Sequence, residues 1–553
     1  MVLPDFNVSR DLYKSAKSRQ ARPFLKRRSF LQRLSFLLGL VPAGGLAAAV
    51  EPRKASSQES GSPALAVVPS PSVRRSNAYR QLKTYLDSIP AIDTHAHLQP
   101  FDQLGIVETA RGRGMNLFGI WDSSYYSWRN PLTRWKSGET FDDWWRQAKN
   151  DFANARAISC YRSLLVAFQD LYGVDFNRIT DEQARQLDRR IYENYHDQKW
   201  LYQVITERAN IELEFEDPYW ARLDLSTHYR FSLPVFNVTS LVDGPRPAAL
   251  RSDFNRPYDD PSAFAQQQGL PLNSLDDYLV VIDRLFREAK NKGAPCLKST
   301  LAYQRTLQFD DVPKDRAGRA FGRPRSELTP QELKDYEDFI MWRLVELSAT
   351  YDIPFQIHTG LARIEGSNPL LLVNLIEAHP NTKFILFHGG FPWVRETAAI
   401  AFEFKNVWLD CNWLPLLNYD VARRTFDEWL DIVPSNHIMW GADCKSPEEI
   451  YGAAEFMRRC WAEVLAGKVD RGDLADEQAR QIGRQVLRDN ALELFPQLKD
   501  RLWKDKGPLA HGAHGGMELP GGTLDAVGAG VIDQSQPKAI GILHVAHQIE
   551  IGR

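Results

Sequence analysis

The chain has 553 residues, 43% hydrophobic and 25% charged, enough to bury a large core. Lys and Arg number 68 against 70 Asp and Glu, a formal net charge of -2, so nothing points to nucleic acid or an acidic membrane surface as partner. The five cysteines (Cys160, Cys296, Cys411, Cys444, Cys460) are scattered and form no C-x-x-C, which argues against a disulfide framework and against a thiolate zinc site.

At the N-terminus, Lys26-Arg27-Arg28-Ser29-Phe30-Leu31 precedes a Gly- and Ala-rich apolar stretch over 34–50, too short and glycine-rich for a comfortable spanning helix. Ala47-Ala48-Ala49 offers a small-residue cleavage site. Residues 1–49 resemble a twin-arginine signal peptide, which implies periplasmic or other export and no stable membrane span after cleavage. The competing reading is a basic amphipathic helix. Residues 50–76, rich in Ser, Pro and Ala and without periodicity, read as a flexible linker.

A helix is expected over 77–87, then a first strand over 91–95. About a hundred residues follow before the next strand, with helical patterns over 141–172 and 181–207 and a dense run of aromatics that includes Trp121, Tyr125, Trp128, Trp144 and Trp145. This stretch, about 101–205, reads as a helical insertion that packs on itself and serves as a lid. Further strands are expected over 211–215, 229–236, 294–300, 354–358, 383–388, 407–410 and 437–441. Amphipathic helices are expected over 275–291, 330–351, 369–378, 393–405, 419–432 and 447–465. Alternation of this kind predicts an α/β fold, a (β/α)8 TIM-type barrel over 77–505 with its site at the carboxyl ends of the strands. Residues 506–553 lose amphipathicity and read as a disordered tail, His511 and His514 with them.

Polar, metal-capable side chains end several of these strands. His95 and His97 are two residues apart, so on a strand they share a face. His358, His388 and Asp443 each follow an apolar run and precede loop-forming residues. His379 and His437 lie at the opposite strand ends and read as structural. Lys298, on an otherwise apolar strand, is costly to bury without a partner. Arg305, on the rim after it, is equally a carboxylate-binding cation or a surface arginine. Trp393 and Asn412 could line the pocket.

Together, His95-x-His97, His358, His388 and Asp443 resemble the ligand set of the amidohydrolase superfamily. Pro354-Phe355-Gln356-Ile357-His358-Thr359-Gly360, Ser367-Asn368-Pro369-Leu370-Leu371 and His388-Gly389-Gly390-Phe391-Pro392 are similar to the amidohydrolase-2 type domain of nodulin and glutamine-synthetase fusion proteins, and more distantly to uronate isomerase. The resemblance implies metal ligation by His95, His97 and Asp443 with His358 as a fourth ligand. His388 would stand beside the metal, and Asp443 would take the proton from the attacking water. It implies zinc, one ion, or two if Lys298 is carboxylated and bridges them. The implied activity is a metal-dependent hydrolase attacking a C–N or C–O bond of a small-molecule substrate. The same ligands suit a decarboxylase or a uronate-isomerase-like enzyme, and a catalytically silent exported binding protein is a third reading, one with no need of Asp443. Self-association is left open.

Overall fold

Strand β1 (Ala91–Ala96) is buried at every position, and the remaining strands follow from how it pairs. The computed structural model describes residues 70–502 apart from 105–106, 218–222, 224, 226 and 246–260. The expected signal peptide, the tail and His511 and His514 lie outside the described residues, as does the linker up to residue 69. Within 70–76 the linker expectation is corrected. Ser70–Arg75 is a 3-10 helix whose Arg74 Nε bonds Glu463 at 2.6 Å.

Two short strands, β2 (Val107–Thr109) and β3 (Gly112–Gly114), form an antiparallel hairpin. The others are β4 (Ile211–Glu216), β5 (Ser232–Pro234), β6 (Phe236–Asn237), β7 (Leu297–Ser299), β8 (Phe355–Ile357), β9 (Phe384–Leu386), β10 (Val407–Asp410) and β11 (Ile438–Met439). Each expected strand segment contains one. All pair in parallel, in the orders β1-β4-β5 and β6-β7-β8-β9-β10-β11. Only Val235 separates β5 from β6, and its N–H bonds the Glu216 carbonyl at 2.9 Å. At the other end, Thr94 N–H bonds the Trp440 carbonyl at 3.2 Å, and Asp443 N–H bonds the His95 carbonyl at 2.7 Å.

Alternation along β4 sends Leu213 and Phe215 into a cluster with Ile92, Val235 and Phe387, while Glu214 and Glu216 point the other way. Phe495 closes this cluster from the C-terminal segment, its ring 5.1 Å from Phe215. With that end filled, the carboxyl ends of the strands remain for a site.

The outer helices start and stop on local signals. Ser274 and Thr329 form capping boxes ahead of Leu275–Lys292 and Pro330–Tyr351, and Gly472 (φ 81°) ends Pro447–Arg471 six residues beyond the expected stop. The two long helices expected between β1 and β4 are each broken. Phe141–Ala148 gives way to a 3-10 turn at Asp151–Asn154 before Ser159–Tyr172. After Asp181–Asn194, Asp197 caps a new start at Gln198–Tyr202. These pieces pack around Trp121, which stacks on Tyr161 at 5.3 Å with Phe152, Phe168 and Phe176 also against it.

Arg458 fastens the longest helix to the strands. Buried, it donates to the carbonyls of Leu86, Ile89, Ala209 and Asn210, the turns that lead into β1 and β4. Arg458→Ala leaves these buried acceptors unmet and is expected to cost about 3 kcal/mol. Urea unfolding of the purified variant measures this; an unchanged midpoint would mean the clamp carries no stability.

Candidate metal centre

The end of β1 leaves regular pairing: its register with β4 shifts between Asp93 and Ala96. Asp93 holds this bend. Its Oδ1 accepts from the N–H groups of His95 (3.1 Å) and Ala442 (2.8 Å), so one carboxylate ties the strand bearing His95 to the loop bearing Asp443. Gly441 permits the approach, since a Cβ there would lie 2.8 Å from His95 N.

His95, His97 and Asp217 then converge, with ligand atoms within 4.8 Å of one another. His95 Nε2 is 3.8 Å from Asp217 Oδ2 and 3.8 Å from Asp443 Oδ1. His97 Nδ1 lies 2.9 Å from the Asp217 carbonyl oxygen, and its Nε2 lies 3.0 Å from Asp443 Oδ1. A carbonyl only accepts, so Nδ1 carries a proton. The Nε2 atom thus faces a carboxylate, an arrangement that a cation between them would make favourable. Burial, then Lys298, pushes the His95 pKa well down, which keeps the ring in its ligating form. This donor set of imidazole nitrogens and carboxylate oxygens fits a divalent ion of the zinc type.

Lys298 Nζ sits 3.4 Å from His95 Nε2 and 3.6 Å from the centroid of the Phe387 ring. Burial lowers its pKa to about 8, with Asp443, Asp217 and Asp410 pulling the other way. Burial alone would raise the Asp443 carboxyl, but His97, His388 and Lys298 overcome it and hold Asp443 below the usual range. His388 Nδ1 lies 3.6 Å from Asp443 Oδ2, and burial brings its pKa to about 4.

His358 departs from the expected ligand set. Its Nδ1 is 2.9 Å from His388 Nε2 and its Nε2 is 3.0 Å from the Leu361 carbonyl, so both nitrogens are engaged away from the donor cluster. It still lines the cleft, together with His97, Asp217, Lys298, Asp443 and Tyr303. Arg305 does not. Glu337 (2.9 Å) and Asp338, both on Pro330–Tyr351, hold its guanidinium, a structural use of the charge. Trp393 is half-buried at the start of Val394–Glu403 and Asn412 is buried beside His388; neither lines the cleft. His437 bonds the Val407 carbonyl and His379 the Leu375 carbonyl, both structural as expected.

Asp217 was not among the expected ligands. The signal for it was present: β4 ends Phe215-Glu216 and is followed at once by Asp217, an apolar alternation that leads to a carboxylate as β11 leads to Asp443. Asn237 Nδ2, at the end of β6, supports its Oδ2 at 3.2 Å.

Residues 315–497 match a family model described as amidohydrolase. That span contains His358, His388 and Asp443, whereas the His95, His97 and Asp217 cluster precedes it. Protein fluG of Emericella nidulans is 31% identical over 219 residues, which covers 37% of this chain and 25% of that protein. The chain thus spans about a quarter of this curated relative. In fold, the chain is similar to glucuronate isomerase from Caulobacter crescentus (TM-score 0.59, 15% identity, 80% of this chain and 97% of that one). It is also similar to a candidate metal-dependent hydrolase from Lactobacillus casei (TM-score 0.54, 17% identity, 76% and 98%). From the geometry, Asp217→Asn is expected to weaken zinc binding at least about ten-fold, and His358→Ala to leave it largely unchanged. Competition with a chromogenic chelator measures both; the reverse order would restore His358 as the ligand and remove Asp217. The match over 315–497, with histidines and carboxylates gathered at the ends of parallel strands, supports a relationship to the amidohydrolase superfamily.

Proposed function

We propose that the protein is a metal-dependent hydrolase that uses an activated water on a C–N or C–O bond of a small substrate. The scaffold in this reading is a closed (β/α)8 barrel. The backbone bonds from β1 to the segment after β11 support closure, and the aromatic segment between β1 and β4 is its lid. The observation that carries the reading is the His97 ring, fixed by the Asp217 carbonyl with Nε2 facing Asp443. His95, His97, Asp217 and Asp443 would hold one zinc ion. When bound, such an ion acidifies a water and polarises a carbonyl oxygen.

The chain's own groups supply the rest. Asp443, whose carboxyl is held low by its contact with His97 and by nearby Lys298, accepts the proton of the attacking water and returns it to the leaving group. His388, neutral because it is buried, stands within reach of Asp443 and is braced by His358. Lys298 supplies positive charge at the floor of the cleft. In this reading it is an ammonium rather than a bridging carbamate, since the Phe387 face and nearby carboxylates suit a cation. Export through the twin-arginine route, proposed from Arg27 and Arg28, would carry the folded protein to the periplasm.

A uronate-isomerase-like reaction is the second reading, favoured by the fold likeness over 97% of the Caulobacter crescentus enzyme. A screen of amides, lactones and uronates on zinc-loaded protein separates the two. Hydrolysis is expected, and Asp443→Asn, assayed with enough zinc to saturate the variant, should lower it at least about 100-fold. Turnover of uronates alone would overturn the hydrolase reading, and undiminished hydrolysis by the variant would remove Asp443 as proton acceptor.

A further inference from the structure

The cleft above the donor cluster has a second side that the proposed chemistry does not use. Tyr125 and Trp128, from the 3-10 helix Tyr125–Trp128 between β1 and β4, line it together with Lys445 from the loop after β11. The two rings meet edge to face, 5.2 Å apart at 75°. Lys445 Nζ stands 5.8 Å from the Tyr125 centroid and 5.7 Å from that of Trp128. Trp128 keeps 45% of its surface exposed, whereas Lys298 and Asp443 at the floor are buried.

This corner is built rather than incidental. Buried Glu449 accepts from the N–H groups of Tyr125 (3.1 Å) and Lys445 (3.3 Å), which joins the two segments through one carboxylate. The Tyr125 hydroxyl donates to the Asp443 carbonyl, and its ring lies 4.7 Å from Trp413. Two aromatic faces at right angles beside an ammonium suit a flat apolar group that carries a negative charge. The described lining offers little for a polyol. Outside the donor cluster and the lysines, its polar groups are His358, Thr300, the Trp128 indole N–H and two tyrosines, and the Tyr125 hydroxyl is already committed.

We propose that Tyr125, Trp128 and Lys445 form a substrate subsite for an aromatic carboxylate, with Lys445 taking the carboxylate and the two rings the aromatic body. This rests on the metal-dependent reading for the reacting end of the substrate, but the subsite itself is separable from it. Asp122 and Glu449 are carboxylates that act on Lys445.

Isothermal titration of zinc-loaded, full-length protein with three probes tests the subsite: 3-phenylpropanoate, its uncharged amide, and glucuronate. The acid is expected to bind at least about ten-fold more tightly than either of the others. Lys445→Met should abolish the preference for acid over amide, and Trp128→Ala should weaken both phenyl probes about ten-fold. Equal affinity for acid and amide, tighter binding of glucuronate, or full acid binding by Lys445→Met would overturn the proposal. The last result would put the carboxylate on the metal or on Lys298. The zinc content of each protein, measured alongside, separates the two claims. Protein that holds no zinc yet prefers the acid through Lys445 defeats the metal-dependent reading and leaves the subsite standing.

Discussion

The site's charge balance is the constraint on which the rest depends. Asp217 and Asp443 are buried together, Asp410 lies near enough to act on both Lys298 and Asp443, and Lys298 is the ammonium among them. His95, His358 and His388 are all pushed toward the neutral form by burial, so they add no compensating charge at neutral pH. Uncompensated buried carboxylates cost several kcal/mol each, at the order-of-magnitude level. A divalent cation among His95, His97, Asp217 and Asp443, as proposed, would balance this charge. Burial raises Asp217 and takes Asp410 to about 6, the response expected of carboxyls short of positive charge.

The backbone is shaped to hold these groups in place. Asp443, His388 and Trp413 are three of the non-glycine residues with positive φ (55°, 59° and 58°), and each stands at or against the site. Left-handed backbone at such residues is strained and persists where its surroundings dictate it. Those surroundings are visible at Asp443. Its N–H is bound by the His95 carbonyl, its own carbonyl by the Tyr125 hydroxyl, and Asp93 secures the preceding Ala442. Through Tyr125, the segment between β1 and β4 thereby fixes a site residue as well as lining the cleft.

Much of this was legible from residues alone, because strand ends announce themselves locally. An apolar run that stops at a histidine or aspartate places His95, His97, His358, His388 and Asp443 on the carboxyl side of parallel strands, and the structure puts them there. What escaped depends on contacts distant in sequence. Arg305 reads as a rim cation until Glu337 and Asp338, some thirty residues later, close on it. His358 reads as a ligand until His388 and Leu361 take both its nitrogens. Asp217 was hidden by its neighbours, since Glu212, Glu214 and Glu216 make one more acid on that strand look like solvated surface. The breaks in the helices after β1 turn on single capping contacts, such as Asp197 with Lys199, that a helical period does not register.

X-ray absorption spectroscopy of zinc-loaded protein tests the central claim most directly, because it reads the kind and number of atoms around the ion. The proposed site predicts one ion per chain in an oxygen and nitrogen shell that contains two imidazoles, those of His95 and His97. A third imidazole, a sulfur ligand, or no stoichiometric zinc would contradict it.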